Sequence, residues 1–191
     1  MKYLSPLEML YKWEKEKPNQ IFLSQPINNI WHHWTWKEFG MEVRKMASYL
    51  KQLNLPNESK IGLLSKNCAH WLMTDMAIMM SGHVSVPLYP NLNAETLSKI
   101  LSHSETKLLF VGKLDNYKEM KGGVPNDMNC ITFPFYSEDY PKWNDLLKNI
   151  SPLKENIIRK PNELATIIYT SGTTGAPKGV MHKFFNFSFA T

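Results

Sequence analysis

Apolar residues spaced three and four positions apart predict an amphipathic helix that begins near residue 35. They are Phe39, Val43, Met46, Leu50 and Leu53. Thr35 and Glu38 stand three residues apart at the start of this pattern, as in a capping box. We therefore expect Thr35 to cap the helix and the apolar stripe to be buried.

A similar start signal lies near the N-terminus. Ser5 and Glu8 again have capping-box spacing, and Pro6 occupies the first helical position, so a helix is predicted to run until shortly before Pro18. Short apolar runs at 21–23 and 30–31, separated by Asn28-Asn29, predict a β-hairpin.

From residue 60 onward, short apolar runs alternate with helical patterns. Buried strands are predicted at 60–64, 84–86 (stopped by Pro87 and Pro90), 108–111, near 131–133 and at 165–169. Helices are predicted over 68–81, capped by Asn67 and closed by Gly82, then after Asn93 and around 143–147. Such alternation predicts an α/β fold, with a mostly parallel sheet and flanking helices, and no domain boundary within 1–191.

Composition and charge argue against a nucleic-acid-binding, metal-binding or membrane-spanning protein. Lys and Arg exceed Asp and Glu by 22 − 17 = 5, without a basic block, so we expect no nucleic-acid partner. Cys68 and Cys130 are far apart and no metal-binding motif is visible. The most apolar stretch, 71–88, is interrupted by Asp75, His83 and Pro87, which argues against a membrane span. We expect a cytoplasmic protein, with peripheral membrane contact left open.

The residues most suggestive of function follow the predicted strand at 165–169. The chain there reads Tyr169-Thr170-Ser171-Gly172-Thr173-Thr174-Gly175-Ala176-Pro177-Lys178-Gly179-Val180. Glycines let the backbone approach a ligand closely, and successive N–H groups of such a turn form an anion-binding nest. Four hydroxyl donors and the charge of Lys178 complete a set of groups that suits a polyphosphate.

The string fits two other interpretations less well. A Walker A loop requires G-x-x-x-x-G-K-[ST] with a helix beginning at the lysine, whereas Lys178 stands between Pro177 and Gly179. A surface loop with an incidental lysine would explain a bare Gly-Thr-Thr-Gly, but not the longer string.

The full string resembles the phosphate loop of the adenylate-forming superfamily, which includes acyl-CoA synthetases, luciferases and the adenylation domains of peptide synthetases. Segments 35–39 and 65–71 are similar to other family segments, in the same order. Segments 84–90 and 102–107 resemble long-chain acyl-CoA synthetases. The resemblance identifies residues 1–191 as a partial AMP-binding (adenylation) domain, the incomplete N-terminal portion of the family's large domain.

The resemblance also implies a reaction and its participants. A carboxylic acid would be activated by ATP, with Mg²⁺ present, to an acyl-adenylate and then transferred to coenzyme A or another thiol carrier. The phosphates would be bound by Thr170, Ser171, Gly172, Thr173, Thr174, Gly175 and Lys178. Lys178 would also act in catalysis, by neutralising the leaving pyrophosphate. A fatty acid is the favoured substrate; an aryl or amino acid is the alternative.

Some family features are replaced or missing. Many members carry histidine where this chain has Phe184, and we expect His182 to have a structural or surface role. The adenine, ribose, acyl-pocket and lid residues of the family would follow Thr191. We therefore expect a fragment that does not form acyl-adenylate alone. The competing hypothesis is an inert truncated product that binds polyphosphate weakly.

Overall fold

The computed structural model describes residues 4–136, 139–171 and 177–187. In chain order, the helices and strands are α1 (Pro6–Glu16), β1 (Ile21–Ile27), β2 (Ile30–Thr35), α2 (Trp36–Gln52), β3 (Lys60–Leu64), α3 (Ala69–Met80), β4 (Val84–Leu88), α4 (Ala94–His103), β5 (Leu108–Val111), α5 (Tyr117–Lys121), β6 (Cys130–Thr132), α6 (Trp143–Leu147), β7 (Leu164–Ser171), β8 (Pro177–Lys183) and α7 (Phe184–Phe187). No helix among these residues is both long and apolar enough to cross a membrane.

Six strands form one sheet in the order β6-β5-β3-β4-β7-β8, and β1 pairs with β2 in a separate hairpin. All neighbouring strands of the sheet are parallel except β7 and β8, which are antiparallel. Alternate residues of β3 and β5 enter two different apolar clusters, one with α1, α2, α3 and α6 and the other with α4 and α5. Helices therefore cover both faces of the sheet, which confirms the predicted α/β fold with a mostly parallel sheet.

Helix α2 begins as its sequence predicts. Oγ1 of Thr35 accepts a hydrogen bond from the N–H of Glu38 at 3.2 Å, and Oε2 of Glu38 accepts one from the N–H of Thr35 at 2.8 Å. Four of the five predicted stripe residues are fully buried, and each contributes roughly 1.5–3 kcal/mol relative to an exposed side chain. The fifth, Leu53, is 36% exposed because the helix ends at Gln52 and Leu53 forms its C-cap.

The predicted β1–β2 hairpin is confirmed, and its turn has a clear local cause. Asn28 and Asn29 connect the strands with φ angles of 49° and 63°. A two-residue hairpin turn with both central residues at positive φ matches the twist of the strands, and asparagine tolerates that conformation. The hairpin brings β2 beside α2 and α3, where a large cleft opens.

The predicted cap of α3 is wrong. The helix begins at Ala69, and neither Asn67 nor the N-cap residue Cys68 supplies a capping side chain. Instead, Oε1 of Gln25 accepts a hydrogen bond from the N–H of Ala69 at 2.7 Å. Because β1 packs beside the start of α3, a residue 44 positions away satisfies this helix end.

The prediction that Pro87 ends the fourth strand is also wrong, because β4 continues through Pro87 to Leu88. The N–H of Val84 points towards the β3 side, where it donates to the carbonyl of Ser59. Because backbone N–H groups alternate sides along a strand, an N–H at position 87 would point towards β7. Its missing N–H therefore leaves the ladder with β3 intact.

Residues 170–178 were predicted to form one loop, and here the structure differs. Thr170 and Ser171 end β7, while Pro177 and Lys178 begin β8. The Pro-Lys-Gly start of β8 has no strand-like alternation, so its sequence did not indicate a strand. A strand at the end of a sheet accepts proline at its first position, as here.

Candidate phosphate-binding site

The β7–β8 hairpin brings together two of the residues that the sequence singled out. Thr170 and Lys178 are directly opposed across the antiparallel ladder, and Ser171 is opposed to Pro177. Opposed residues direct their side chains to the same face, so the hydroxyl of Thr170 and the ammonium group of Lys178 share one face. Gly172, Thr173, Thr174 and Gly175 lie outside the described residues.

Both members of this pair are accessible. Thr170 and Lys178 are exposed, and Lys178 has no ion-pair partner in the part of the chain that the structure describes. An exposed ammonium group on a flexible stem acts as a mobile point charge, which suits it to an anion. A neutral hydroxyl and a cation therefore stand side by side where the hairpin enters the glycine-containing segment.

The base of the hairpin is packed tightly around Tyr169. The side chain of Tyr169 is 4% exposed and contacts Gly179, its partner on β8. A Cβ atom added to Gly179 would lie 2.9 Å from Cγ2 of Ile167 and 3.2 Å from Cζ of Tyr169. A side chain at 179 would therefore crowd Ile167 and the ring of Tyr169, so this position favours glycine. Nothing in the local sequence indicated this packing role of Gly179, because Ile167 and Tyr169 lie on the opposing strand.

Tyr169 is also bound to helix α4. Its hydroxyl oxygen lies 2.6 Å from Nδ1 of His103. Burial raises the pKa of the Tyr169 hydroxyl above its ordinary value, so the phenol stays protonated and can donate to the imidazole. No local pattern indicated this pairing, because the two residues are 66 positions apart.

A cleft of about 560 Å³ lies between α4 and the hairpin. It is lined by Ser98, Lys99, Ser102, His103, Tyr169 and Pro177. Nζ of Lys99 lies 2.5 Å from Oε1 of Glu95, one helical turn earlier, so this cation already has a partner. Because successive residues of a strand face opposite sides, Tyr169 and Pro177 point away from the face of Thr170 and Lys178, and this cleft lies on the other side of the hairpin.

Phe184 and His182, near the end of the described residues, differ in burial. Phe184 is 1% exposed, and the guanidinium carbon of Arg159 lies 5.0 Å from its ring centre. His182 is half-buried, with its ring centre 6.4 Å from that of Phe187. Phe184 therefore contributes to the core, and His182 packs beside an aromatic ring.

Comparison of the sequence with known proteins indicates the family of this chain. The family model described as "AMP-binding enzyme" matches residues 10–191. Long chain acyl-CoA synthetase 5 of Arabidopsis thaliana is 31% identical over 88% of this chain and 28% of its own length. Fatty acyl-CoA synthetase A of Dictyostelium discoideum is 32% identical over 77% of this chain and 24% of its own length. The chain thus spans about a quarter of the length of these relatives.

Solved structures agree on the fold. An anthranilate CoA ligase in complex with anthranoyl-AMP has a TM-score of 0.81 at 20% identity, covering 97% of this chain and 36% of its own. An acyl-CoA synthetase of Brucella canis has a TM-score of 0.81 at 18% identity, covering 97% of this chain and 34% of its own. At these identities the likeness concerns the fold alone. The family match, which spans most of the sequence, shows that this chain belongs to the AMP-binding enzyme family.

Proposed function

We propose that this chain is the N-terminal portion of an ATP-dependent acid–thiol ligase. In this proposal, residues 1–191 are a partial adenylation domain, and the ligase activates a carboxylic acid as an acyl-adenylate before transferring it to coenzyme A. Family membership supports the reaction class, since relatives similar in sequence are named as acyl-CoA synthetases. The observation that carries the proposal is the exposed Thr170–Lys178 pair at the hairpin.

Within this proposal, the hairpin binds the β- and γ-phosphates of ATP. Thr170, Ser171, Thr173 and Thr174 donate hydroxyl hydrogen bonds, while Gly172 and Gly175 let backbone N–H groups reach the phosphate oxygens. Lys178 places a positive charge beside them. Magnesium enters with the nucleotide, as part of the MgATP substrate.

The proposed chemistry requires charge stabilisation more than covalent participation by the protein. A carboxylate oxygen of the acid forms a bond to the α-phosphorus, and the bond from that phosphorus to the α–β bridging oxygen breaks. Pyrophosphate departs with the electron pair, and Lys178 stabilises the negative charge that it gains. The thiol sulfur of coenzyme A then attacks the acyl carbon, AMP leaves, and the thiol proton passes to solvent.

A long-chain fatty acid is the substrate we propose. The relatives from Arabidopsis thaliana and Dictyostelium discoideum are named as long chain and fatty acyl-CoA synthetases. Because such acids partition into membranes, we further propose a cytoplasmic protein that contacts the membrane surface peripherally.

Phosphate binding can be tested on the chain itself. Isothermal titration with tripolyphosphate should give saturable binding that Lys178→Ala weakens about tenfold or more, since a tenfold loss corresponds to ~1.4 kcal/mol. Lys183→Ala, on the same strand and also exposed, removes the same charge and is the matched control. Equal effects of the two substitutions would show that only net charge matters and would contradict the assigned site.

A test of the reaction class requires the remaining part of a synthetase, which a relative can supply. A chimera would carry this chain in place of the corresponding segment of the Arabidopsis synthetase. Its ATP–pyrophosphate exchange should depend on a fatty acid. Lys178→Ala should slow exchange about 10²–10³-fold, as loss of one charge-stabilising contact does, while Lys183→Ala should not. A folded chimera without exchange, or with exchange insensitive to Lys178, would overturn the proposal.

A further inference from the structure

Another cleft of the described residues lies far from the β7–β8 hairpin. It has a volume of about 670 Å³ and opens between β2, α2 and the segment that follows β6. Strand β6 is at one edge of the sheet and β8 is at the other. The cleft is lined by Asn19, His32, His33, Trp34, Thr35, Lys37, Glu38, Met41, Glu42, His70, Pro134, Phe135 and Asn144.

His70 lies at the base of this cleft and has an unused imidazole. The residue is only 5% exposed, and its ring is held edge-on between Trp34 and Trp143, with ring centres 5.9 Å and 5.3 Å away. Within the described residues, neither ring nitrogen has a hydrogen-bond partner, and neither is among the fully buried unpaired atoms, so the nitrogens keep some contact with solvent. A ring nitrogen that lines a cleft and has no partner within the fold is available to a ligand.

The imidazole is uncharged at physiological pH. Burial among aromatic rings lowers the pKa of His70 to about 4. A neutral imidazole has one N–H donor and one nitrogen acceptor. His70 can therefore exchange a hydrogen bond with a ligand group of either kind, without attracting an anion.

Phe135 forms an aromatic wall of the same cleft in an unusual backbone conformation. Its φ angle is 74°, which is rare for a bulky residue and costs on the order of 1–3 kcal/mol. The side chain is 50% exposed, with its ring centre 5.3 Å from that of His32 and 6.2 Å from that of His70. Strained residues of this kind cluster at binding and catalytic sites, and here the strain holds an aromatic face open to solvent.

The charged groups around the cleft do not favour a charged ligand. Oε2 of Glu38 accepts hydrogen bonds from the N–H and the hydroxyl of Thr35, both at 2.8 Å. Oε2 of Glu42 accepts one from Nε1 of Trp143 at 2.9 Å. Both carboxylates are thus used within the fold, and Lys37 contributes one cation at the rim.

We propose that this cleft binds an uncharged, planar heteroaromatic ring that lies against Phe135 and exchanges a hydrogen bond with His70. Aromatic surfaces attract planar rings in offset-stacked or edge-on arrangements, and the imidazole supplies orientation. The site is separate from the candidate phosphate-binding hairpin, so this proposal does not depend on the proposed ligase function.

Benzimidazole is a suitable probe because it is planar, uncharged at neutral pH, and carries one N–H donor and one nitrogen acceptor. Its binding to the purified chain and to every variant can be followed by ligand-observed NMR titration at pH 7.4, and in the wild type also through the shifts of the His70 ring nitrogens in ¹⁵N-edited spectra. Cyclohexanecarboxamide, which has polar groups but no planar ring, is the control ligand. We expect saturable binding of benzimidazole and none of the control.

Matched variants assign the contacts. His70→Phe keeps an aromatic ring but removes the hydrogen bond, and Phe135→Gly removes the ring while suiting the positive φ. Each should weaken benzimidazole binding about tenfold. Trp31→Ala, on an exposed part of the same hairpin, and Lys178→Ala should leave it unchanged. If His70→Phe fails to fold, Phe135→Gly decides alone. Absent binding, equal binding of the control ligand, or full affinity in Phe135→Gly would overturn the proposal.

Discussion

The imidazole of His103 stands perpendicular to the ring of Tyr169, with ring centres 5.7 Å apart and Nδ1 2.6 Å from the phenolic oxygen. Helix α4 is thereby tied to the strand that leads into the candidate phosphate-binding segment. Since Tyr169 also packs against Gly179 on β8, one tyrosine connects a helix with both strands of the hairpin.

This contact predicts a specific effect of removing the hydrogen bond. His103→Phe keeps an aromatic ring, but should lower the free energy of unfolding by about 1 kcal/mol, the usual contribution of one hydrogen bond. Affinity for tripolyphosphate should fall as well, because the hairpin loses its attachment to α4. Urea unfolding and calorimetric titration measure the two effects. His103→Gln, which can still hydrogen-bond, should restore part of both; no difference between Phe and Gln would refute the role of the bond.

A second prediction concerns the close packing around Gly179. Gly179→Ala would put a methyl group 2.9 Å from Cγ2 of Ile167, so neighbouring atoms must move. We expect a loss of roughly 1–3 kcal/mol, typical of overpacking. Gly122→Ala is the control, because its added methyl would meet nothing closer than 3.9 Å. Thermal unfolding of both variants tests this, and equal stability of the two would contradict the tight packing.

The start of α3 gives a direct comparison between a predicted cap and the observed one. Gln25→Ala removes the acceptor for the N–H of Ala69 and should cost about 1 kcal/mol, as loss of a helix cap does. Asn67→Ala should have almost no effect on stability. The reverse order in chemical denaturation would restore Asn67 as the capping residue.

Asp75 predicts a pH dependence of stability. Its Oδ1 is buried on α3 and has no hydrogen-bond partner among the residues described. Burial raises the pKa of this carboxyl group from 3.8 to about 6. The fold favours the protonated form, so the stability present below pH 3.8 is lost as the pH rises through 6, by up to roughly 3 kcal/mol at 1.36 kcal/mol per pH unit.

Substitution of Asp75 separates this effect from general acid titration. Asp75→Asn should raise the free energy of unfolding by roughly 1–3 kcal/mol at pH 8 and change it little at pH 4. Asp127→Asn, at an exposed position, should change neither. Stability measured by urea unfolding at both pH values checks the sign. A variant less stable than the wild type at pH 8 would show that the carboxylate is favourable in the fold.

The features that the sequence predicted well depend on residues close together in the chain. Ser5 with Glu8, Thr35 with Glu38, and Asn93 with the N–H of Thr96 are each separated by three positions. Local spacing is enough to indicate such contacts. Apolar runs likewise indicated five of the six strands of the sheet, β8 being the exception, and the apolar period indicated the buried face of α2, because side-chain direction follows the backbone period.

The features that were missed depend on packing between distant segments. Gln25 reaches the start of α3 only because β1 lies beside that helix, and Tyr169 meets His103 only because β7 lies beside α4. The left-handed backbone of Phe135 has no signal in its own residue type. At the candidate phosphate site, the motif indicated which residues matter, but their arrangement across two opposed strands had to come from the structure.

Strand β8 is the outermost strand of the sheet, and it pairs with β7 on one side. Amide hydrogens that face away from β7 should exchange rapidly with deuterated solvent. Those facing β7 should exchange through local opening of the hairpin. Amides of the central strand β3 should exchange only when the whole sheet opens. The segment that carries Lys178 can therefore separate from the sheet and return without disturbing either core, and a polyphosphate bound there would slow that exchange.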